Sequence, residues 1–126
     1  KTVENERKDE CVFITAGTDM RGESWKTVVS DIAQFSETDG ERNFAEWLES
    51  SGVLAGKQMP LRDVKFSVPG NSGTWECDYY WQDSEIMYFA SGQEKAMEIA
   101  AASGMKCIYG PDGPNENNQG KIRGMK

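Results

Sequence analysis

The chain has 126 residues, a net charge of −7 at pH 7 and no histidine. That length is enough for one domain with one hydrophobic core. The acidic balance argues against nucleic acid or an anionic membrane surface as a partner, and the lack of histidine excludes Ser-His-Asp catalysis and His-ligated zinc.

Residues 1–10 are polar and charged, and they predict an N-terminal arm. The chain begins at Lys1 rather than at methionine. Removal of a signal peptide would leave such a start, although trimming would as well. We therefore expect a periplasmic or secreted protein rather than a cytoplasmic one.

The first half of the domain predicts a strand and then a helical region in two pieces. Residues 11–16 (CVFITA) form a short apolar run, typical of a central strand that is buried on both faces. Ser24 can cap a helix whose apolar side chains recur at helical spacing as far as Phe35. A second helix is predicted over residues 41–50 and ends before Gly52.

The second half predicts a hairpin, a broken helix and a last strand. Alternation of apolar and polar residues marks the two hairpin strands, and apolar residues at helical spacing, interrupted by Ser91-Gly92, mark the helix. The predicted hairpin strands are 63–68 and 75–82 with a loop longer than two residues, the helix is 86–103, and the last strand is 105–109.

This order, βαββαβ, predicts an α+β domain of the ferredoxin-like type over residues 11–109. We expect a four-stranded antiparallel sheet with the helices on one face and with residues 11–16 and 74–82 as inner strands. Residues 110–126 are rich in Gly, Pro and Asn, and they predict a flexible tail.

A family resemblance rests on the aromatic strand and on the elements predicted after it. Tyr79-Tyr80-Trp81 leads into Asp83-Ser84-Glu85, a broken helix and a short final strand. This stretch resembles the dimeric α/β-barrel superfamily, which includes the antibiotic-biosynthesis-monooxygenase-like and stress-responsive barrel families. The resemblance implies a homodimer and a ligand site between sheet and helices.

Three cysteines, Cys11, Cys77 and Cys107, fall in predicted strands. A buried cysteine without a disulfide behaves as a small hydrophobic residue, and this is the simpler interpretation. A single bridge between Cys11 and Cys107 is the alternative.

No catalytic motif is present. Neither a GxGxxG nor a P-loop pattern occurs, so no cofactor is predicted. Residues 35–46 match part of a calcium-loop template, but Phe35 occupies the first ligand position, so no metal site is predicted. Asp78 lies among aromatic residues, where a raised pKa would suit a general base, although alternation places it on the face opposite Tyr79 and Trp81.

The aromatic side chains predict a core that also forms a pocket for an apolar or aromatic small molecule. The first functional hypothesis is therefore a small-molecule-binding domain, with a cofactor-independent oxygenase or isomerase as its enzymatic form. The alternative is a secreted or periplasmic, non-enzymatic protein-interaction domain. The predicted ligand-binding residues are Trp25, Phe66, Tyr79, Trp81 and Phe89.

Overall fold

The computed structural model describes residues 12–126. The predicted arm, residues 1–10, and Cys11 lie outside this range. The described residues form five strands and four α-helices, in the order β1 (Phe13–Asp19), α1 (Trp25–Gln34), α2 (Asp39–Ser51), β2 (Leu61–Val68), β3 (Asn71–Trp81), β4 (Ile86–Phe89), α3 (Glu94–Ala102), β5 (Lys106–Tyr109) and α4 (Glu116–Arg123).

The strands form one mixed sheet in the order β1-β2-β3-β4-β5. The first four strands pair in antiparallel fashion, and β4 and β5 are parallel, as the crossover through α3 requires. The α+β class is confirmed. The sheet has five strands rather than the predicted four, and the strand predicted to be central, β1, lies at its edge.

The extra strand is β4, which sequence periodicity predicted as the first turn of a helix. Its four residues, Ile86–Phe89, are all buried, and they pair with β3 on one side and β5 on the other. A strand buried on both faces has a continuous apolar sequence, and a run this short cannot be told from a buried helix by periodicity. The helix predicted over residues 86–103 is therefore limited to α3.

The sheet is covered on both faces. Consecutive residues of β4 alternate between two core clusters, with Ile86 and Tyr88 in one and Met87 and Phe89 in the other. The first cluster includes buried residues of α1, α2 and α4, whereas the second includes those of α3. The prediction that all helices lie on one face is wrong.

Residues 110–126, predicted to be a flexible tail, fold as a short 3-10 turn followed by α4. Ile122 is fully buried in the first cluster and Met125 is nearly so. The buried side chain of Asn118 donates hydrogen bonds to the carbonyl oxygens of Tyr109 and Gly113, at 2.9 and 2.8 Å. The tail prediction is wrong because two apolar residues and one buried amide are enough to dock this polar segment.

The start of α2 is held close to the turn that follows β5. The ideal Cβ position on Gly40 lies 2.6 Å from the carbonyl carbon of Pro111, so only glycine fits there. Thr38 caps the helix, and its Oγ1 accepts a hydrogen bond from the amide of Glu41 at 3.2 Å. These contacts place Glu41 against the sheet.

The hairpin between β2 and β3 is tighter than predicted. Only Pro69 and Gly70 separate the two strands, and Gly70 adopts a positive φ of 81°. Proline followed by glycine suits a two-residue turn of this kind. None of the helices within residues 12–126 is both long and apolar enough to cross a membrane.

Candidate functional site

A cavity of about 330 Å³ lies where the end of α1 and the start of α2 meet β2, β3 and β4. We call it the carboxylate cavity because four of its nine lining residues are acidic. Its lining residues are Asp31, Ile32, Phe35, Glu41, Arg62, Asp63, Asp78, Tyr79 and Tyr88.

An irregularity shared by β2 and β3 brings two of the carboxylates to this cavity. The pairing runs from Arg62–Tyr79 to Val64–Cys77, with Asp63 and Asp78 between these pairs. Cys77 and Tyr79 are two residues apart yet belong to different core clusters, so the alternation along β3 breaks at Asp78. Asp63 has a φ of 52°, a left-handed conformation that is uncommon outside glycine.

Glu41 is a buried carboxylate, with 2 % of its surface exposed. Its Oε1 accepts hydrogen bonds from the Glu37 amide at 3.1 Å and from the Thr38 hydroxyl at 2.9 Å. Its Oε2 accepts one from the amide of Ser91, 3.3 Å away in the loop after β4. Glu41 thus ties α2 to the sheet at the cavity wall.

Arg62 is the cation of the cavity. Its Nη1 lies 2.7 Å from Oδ2 of Asp31, and its Nε lies 3.5 Å from Oδ2 of Asp63. The charge of Asp31 raises the pKa of Arg62, so the guanidinium stays protonated. This ion pair joins α1 to β2.

The pKa of Asp78 is shifted by its surroundings in the cavity wall. Burial raises the pKa of its carboxyl, and the hydrogen bond that Oδ1 accepts from Nε2 of Gln93, at 3.0 Å, opposes this shift. The nearby charges of Asp63, Glu41 and Glu76 raise the pKa further. A partly buried carboxyl on a cavity wall with a raised pKa has the properties of a general base.

Replacement Asp78→Asn is expected to change how stability depends on pH. Because the folded-state pKa lies above the ordinary value of 3.8, the folded chain holds this proton more tightly, so stability falls as the pH rises above 3.8. The asparagine side chain is neutral, and its oxygen can still accept from Gln93. The variant should therefore gain stability relative to the parent near neutral pH, and the gain should vanish below pH 3.8.

Urea unfolding of the parent and of Asp78→Asn, near neutral pH and below pH 3.8, measures the difference in their free energies of unfolding. The matched control is Glu98→Gln, which removes an equal charge from an exposed position in α3 that is not among the groups that shift the pKa of Asp78. A difference between Asp78→Asn and the parent that is the same at both pH values would contradict the raised pKa.

Tyr88 projects from β4 into the first core cluster and lines the cavity. Its ring stacks on Phe44 at 5.7 Å and meets Tyr79 edge-on at 6.0 Å. The residue is 1 % exposed, and its Oη has no hydrogen-bond partner among the described residues. Burial raises the pKa of Tyr88, and the charges of Glu41 and Asp78 add to this effect, so the hydroxyl stays protonated.

The five predicted ligand-binding residues do not come together. Trp25, Tyr79 and Trp81 belong to the first core cluster, where Trp25 and Trp81 stack at 6.3 Å. Phe66 and Phe89 lie in the second cluster and contact each other edge-on at 6.3 Å. Of the five, Tyr79 lines the carboxylate cavity. Asp78, the candidate base, lines it too, on the same side as Tyr79 rather than opposite.

Sequence reasoning missed most of the polar wall. Thr38 and Glu41 match the Thr-x-x-Glu capping box, and this signal could have located Glu41. Asp31, Arg62 and Tyr88 carry no comparable signal, because their meeting depends on how the helices dock on the sheet.

Cys77 has a free thiol that is buried, and burial raises its pKa. The interpretation of this residue as a small hydrophobic core residue is confirmed. The bridge between Cys11 and Cys107 stays a prediction, because Cys11 is outside the described residues.

Comparison with known proteins found no matching family model, no matching curated protein and no matching solved structure. Within residues 12–126, no group of three or more Cys, Asp or Glu side chains is placed to hold a metal ion. The cavity is therefore the feature of this chain from which a function can be inferred.

Proposed function

We propose that this chain is a small-molecule-binding domain whose site is the carboxylate cavity. The observation that carries the proposal is Tyr88, a lining residue of the cavity whose buried hydroxyl lacks a partner among the described residues. A buried polar group without a hydrogen bond costs about 1–3 kcal/mol. A ligand that pairs with this hydroxyl would recover that cost.

The cavity combines apolar and aromatic side chains with charged ones. Three aromatic residues and one aliphatic residue line it: Phe35, Tyr79, Tyr88 and Ile32. The polar groups come from α1 and α2 and from the strands β2, β3 and β4. Small-molecule sites usually have mainly apolar walls and volumes of about 300–1,000 Å³; this cavity lies in that range of volume but is more polar, since five of its nine lining residues are charged. At about 330 Å³ the cavity suits a small ligand.

Methyl-labelled isoleucine spectra of the full chain test this proposal. Ile32 lines the cavity, whereas Ile99 packs against the second core cluster. Small aromatic probes that occupy the cavity should shift the Ile32 methyl signal and leave that of Ile99 unchanged. Shifts at Ile99 without shifts at Ile32, or no shift with any probe, would contradict the proposal.

The enzymatic form, a cofactor-independent oxygenase or isomerase, would rest on Asp78 as the general base. The support is its place on the cavity wall and its raised pKa. In this form Asp78→Asn would abolish turnover, whereas a pure binding domain would lack turnover in the parent as well.

The homodimer implied by the resemblance to the dimeric α/β-barrel superfamily stays a prediction, since none of the comparisons bears on it. Light scattering at micromolar concentration tests it, and a monomer would contradict it.

A second candidate function, a protein-interaction domain, is favoured by β1. This strand lies at the edge of the sheet and is largely exposed, and Phe13 within it is 47 % exposed. An edge strand can accept an extended segment of a partner. Binding at this edge would shift the methyl signal of Ile14, which belongs to β1, and would leave Ile32 unchanged.

A further inference from the structure

We infer that the ligand of the carboxylate cavity is a small organic cation, with an ammonium group carried on an apolar or aromatic skeleton. This inference rests on the proposed function and names the chemical class of the ligand.

The first support is the charge of the wall. Four carboxylates and one guanidinium line the cavity. Arg62 contacts Asp31 and Asp63, so Glu41 and Asp78 have no ion-pair partner within residues 12–126. Carboxylates that are withdrawn from water without a cation favour a ligand that brings one.

The second support, independent of the charge, is Tyr88. Its buried hydroxyl can accept a hydrogen bond and has no partner among the described residues, and Tyr88 lines the same cavity as Glu41 and Asp78. An ammonium group has three donors and no acceptor. An ammonium group in the cavity would offer a donor to the Tyr88 oxygen and a positive charge to the carboxylates of the same wall.

The third support is the remainder of the wall. The faces of Tyr79 and Tyr88 attract a cation by about 0.5–2 kcal/mol where water is excluded, and Ile32 and Phe35 suit an apolar skeleton. A metal ion fits less well, because the carboxylates are distributed around the cavity and no three of the described ones converge on a point.

Three probes of similar shape test the charge of the ligand: 2-phenylethylammonium, 2-phenylethanol and 3-phenylpropionate. Binding is followed on the full chain by the Ile32 methyl shift and by calorimetry. We expect the ammonium to bind at least about tenfold more tightly than the alcohol, since a hydrogen bond to a charged group contributes about 1.5–3 kcal/mol. The carboxylate probe should not bind.

The outcomes separate the inference from the proposed function. If the alcohol or the carboxylate shifts Ile32 as strongly as the ammonium, the cavity binds small molecules but the inference is overturned. If calcium or magnesium ions shift Ile32 and the ammonium does not, the site is a metal site and the inference is again overturned. If no probe shifts the Ile32 methyl signal, both the inference and the proposed function are overturned.

Paired variants assign the binding groups. Asp78→Asn should weaken ammonium binding about tenfold or more, because one charged acceptor is lost. Glu76→Gln removes the same charge from a neighbouring residue outside the cavity and should change the affinity by less than about twofold, the size expected for an exposed charge. Equal losses in the two variants would show a general charge effect and overturn the inference.

The variant Tyr88→Phe separates a binding role from a structural one. It removes a hydroxyl without a partner, so the protein should keep or gain thermal stability while ammonium affinity falls by about three- to tenfold. Tyr80→Phe, on the opposite face of the sheet, should leave the affinity unchanged. A Tyr88→Phe protein that binds the ammonium as well as the parent would overturn the role of this hydroxyl.

Discussion

Truncation after Pro114, which removes residues 115–126, is expected to unfold most of the protein at room temperature. Ile122 is fully buried and Met125 is 4 % exposed, and both belong to the first core cluster. Loss of a buried residue of this size costs about 2–5 kcal/mol. We expect a total loss of about 5 kcal/mol or more, comparable with the whole stability of a small domain. Urea unfolding followed by circular dichroism measures it.

The hydrogen bonds of the last residues add to this cost. Nζ of Lys57 donates to the carbonyl oxygens of Arg123 and Met125, at 3.0 and 2.8 Å. The backbone N–H of Gln58 donates to the carbonyl oxygen of Lys126 at 2.9 Å. Truncation would leave these donors of the loop before β2 without their acceptors.

Two point variants in α4 act as controls. Ile122→Ala should cost about 2–5 kcal/mol, whereas Lys121→Ala, outside the core clusters, should stay within about 0.5 kcal/mol of the parent. A truncated chain with the unfolding midpoint of the parent would show that α4 does not dock in solution.

The segment that forms α4 shows which kind of structure a single sequence does not predict. Strong local patterns were sufficient for both helices before β2, for the alternating hairpin strands and for β5, which the structure contains. The segment that forms α4 is polar overall, and only its tertiary contacts, through Ile122 and Asn118, order it. Such contacts leave no periodic signal in a single sequence.

The candidate site was harder to predict than the fold. Strict alternation would place Asp78 and Tyr79 on opposite faces of the sheet. The irregularity at Asp63 and Asp78 brings both side chains to one cavity. Glycine is the usual sequence marker of a positive φ, and the residue with a positive φ here is Asp63. Aromatic enrichment correctly drew attention to β3, yet those rings mainly fill the two core clusters. The polar residues that make the cavity distinctive come from five elements that meet only after folding.

Gly40→Ala is expected to destabilise the protein by about 3 kcal/mol, the upper part of the range for overpacked interiors. Inside a helix this change normally stabilises, by about 0.5–1 kcal/mol. Here the new Cβ would lie 2.6 Å from the Pro111 carbonyl carbon and still closer to its oxygen. These are backbone atoms that cannot rotate away, so α2 must shift from the turn after β5.

The shift would also act on the cavity, because Glu41 follows Gly40 directly. Its Oε2 accepts from the Ser91 amide at 3.3 Å, and a displaced α2 would lengthen this bond and move the wall next to Tyr88. Thermal unfolding measures the loss of stability, and the Ile32 methyl signal of the unliganded variant should move as well.

Gly120→Ala provides the matched control in α4. Apart from the adjacent residues and the backbone of α4, no described atom lies within 4 Å of the ideal Cβ position at Gly120, so this substitution should stabilise by about 0.5–1 kcal/mol. The two helical glycines should thus respond with opposite signs to the same added methyl group. If Gly40→Ala also stabilised the protein, the close contact between α2 and Pro111 would be contradicted, and with it the placement of Glu41 at the wall of the carboxylate cavity.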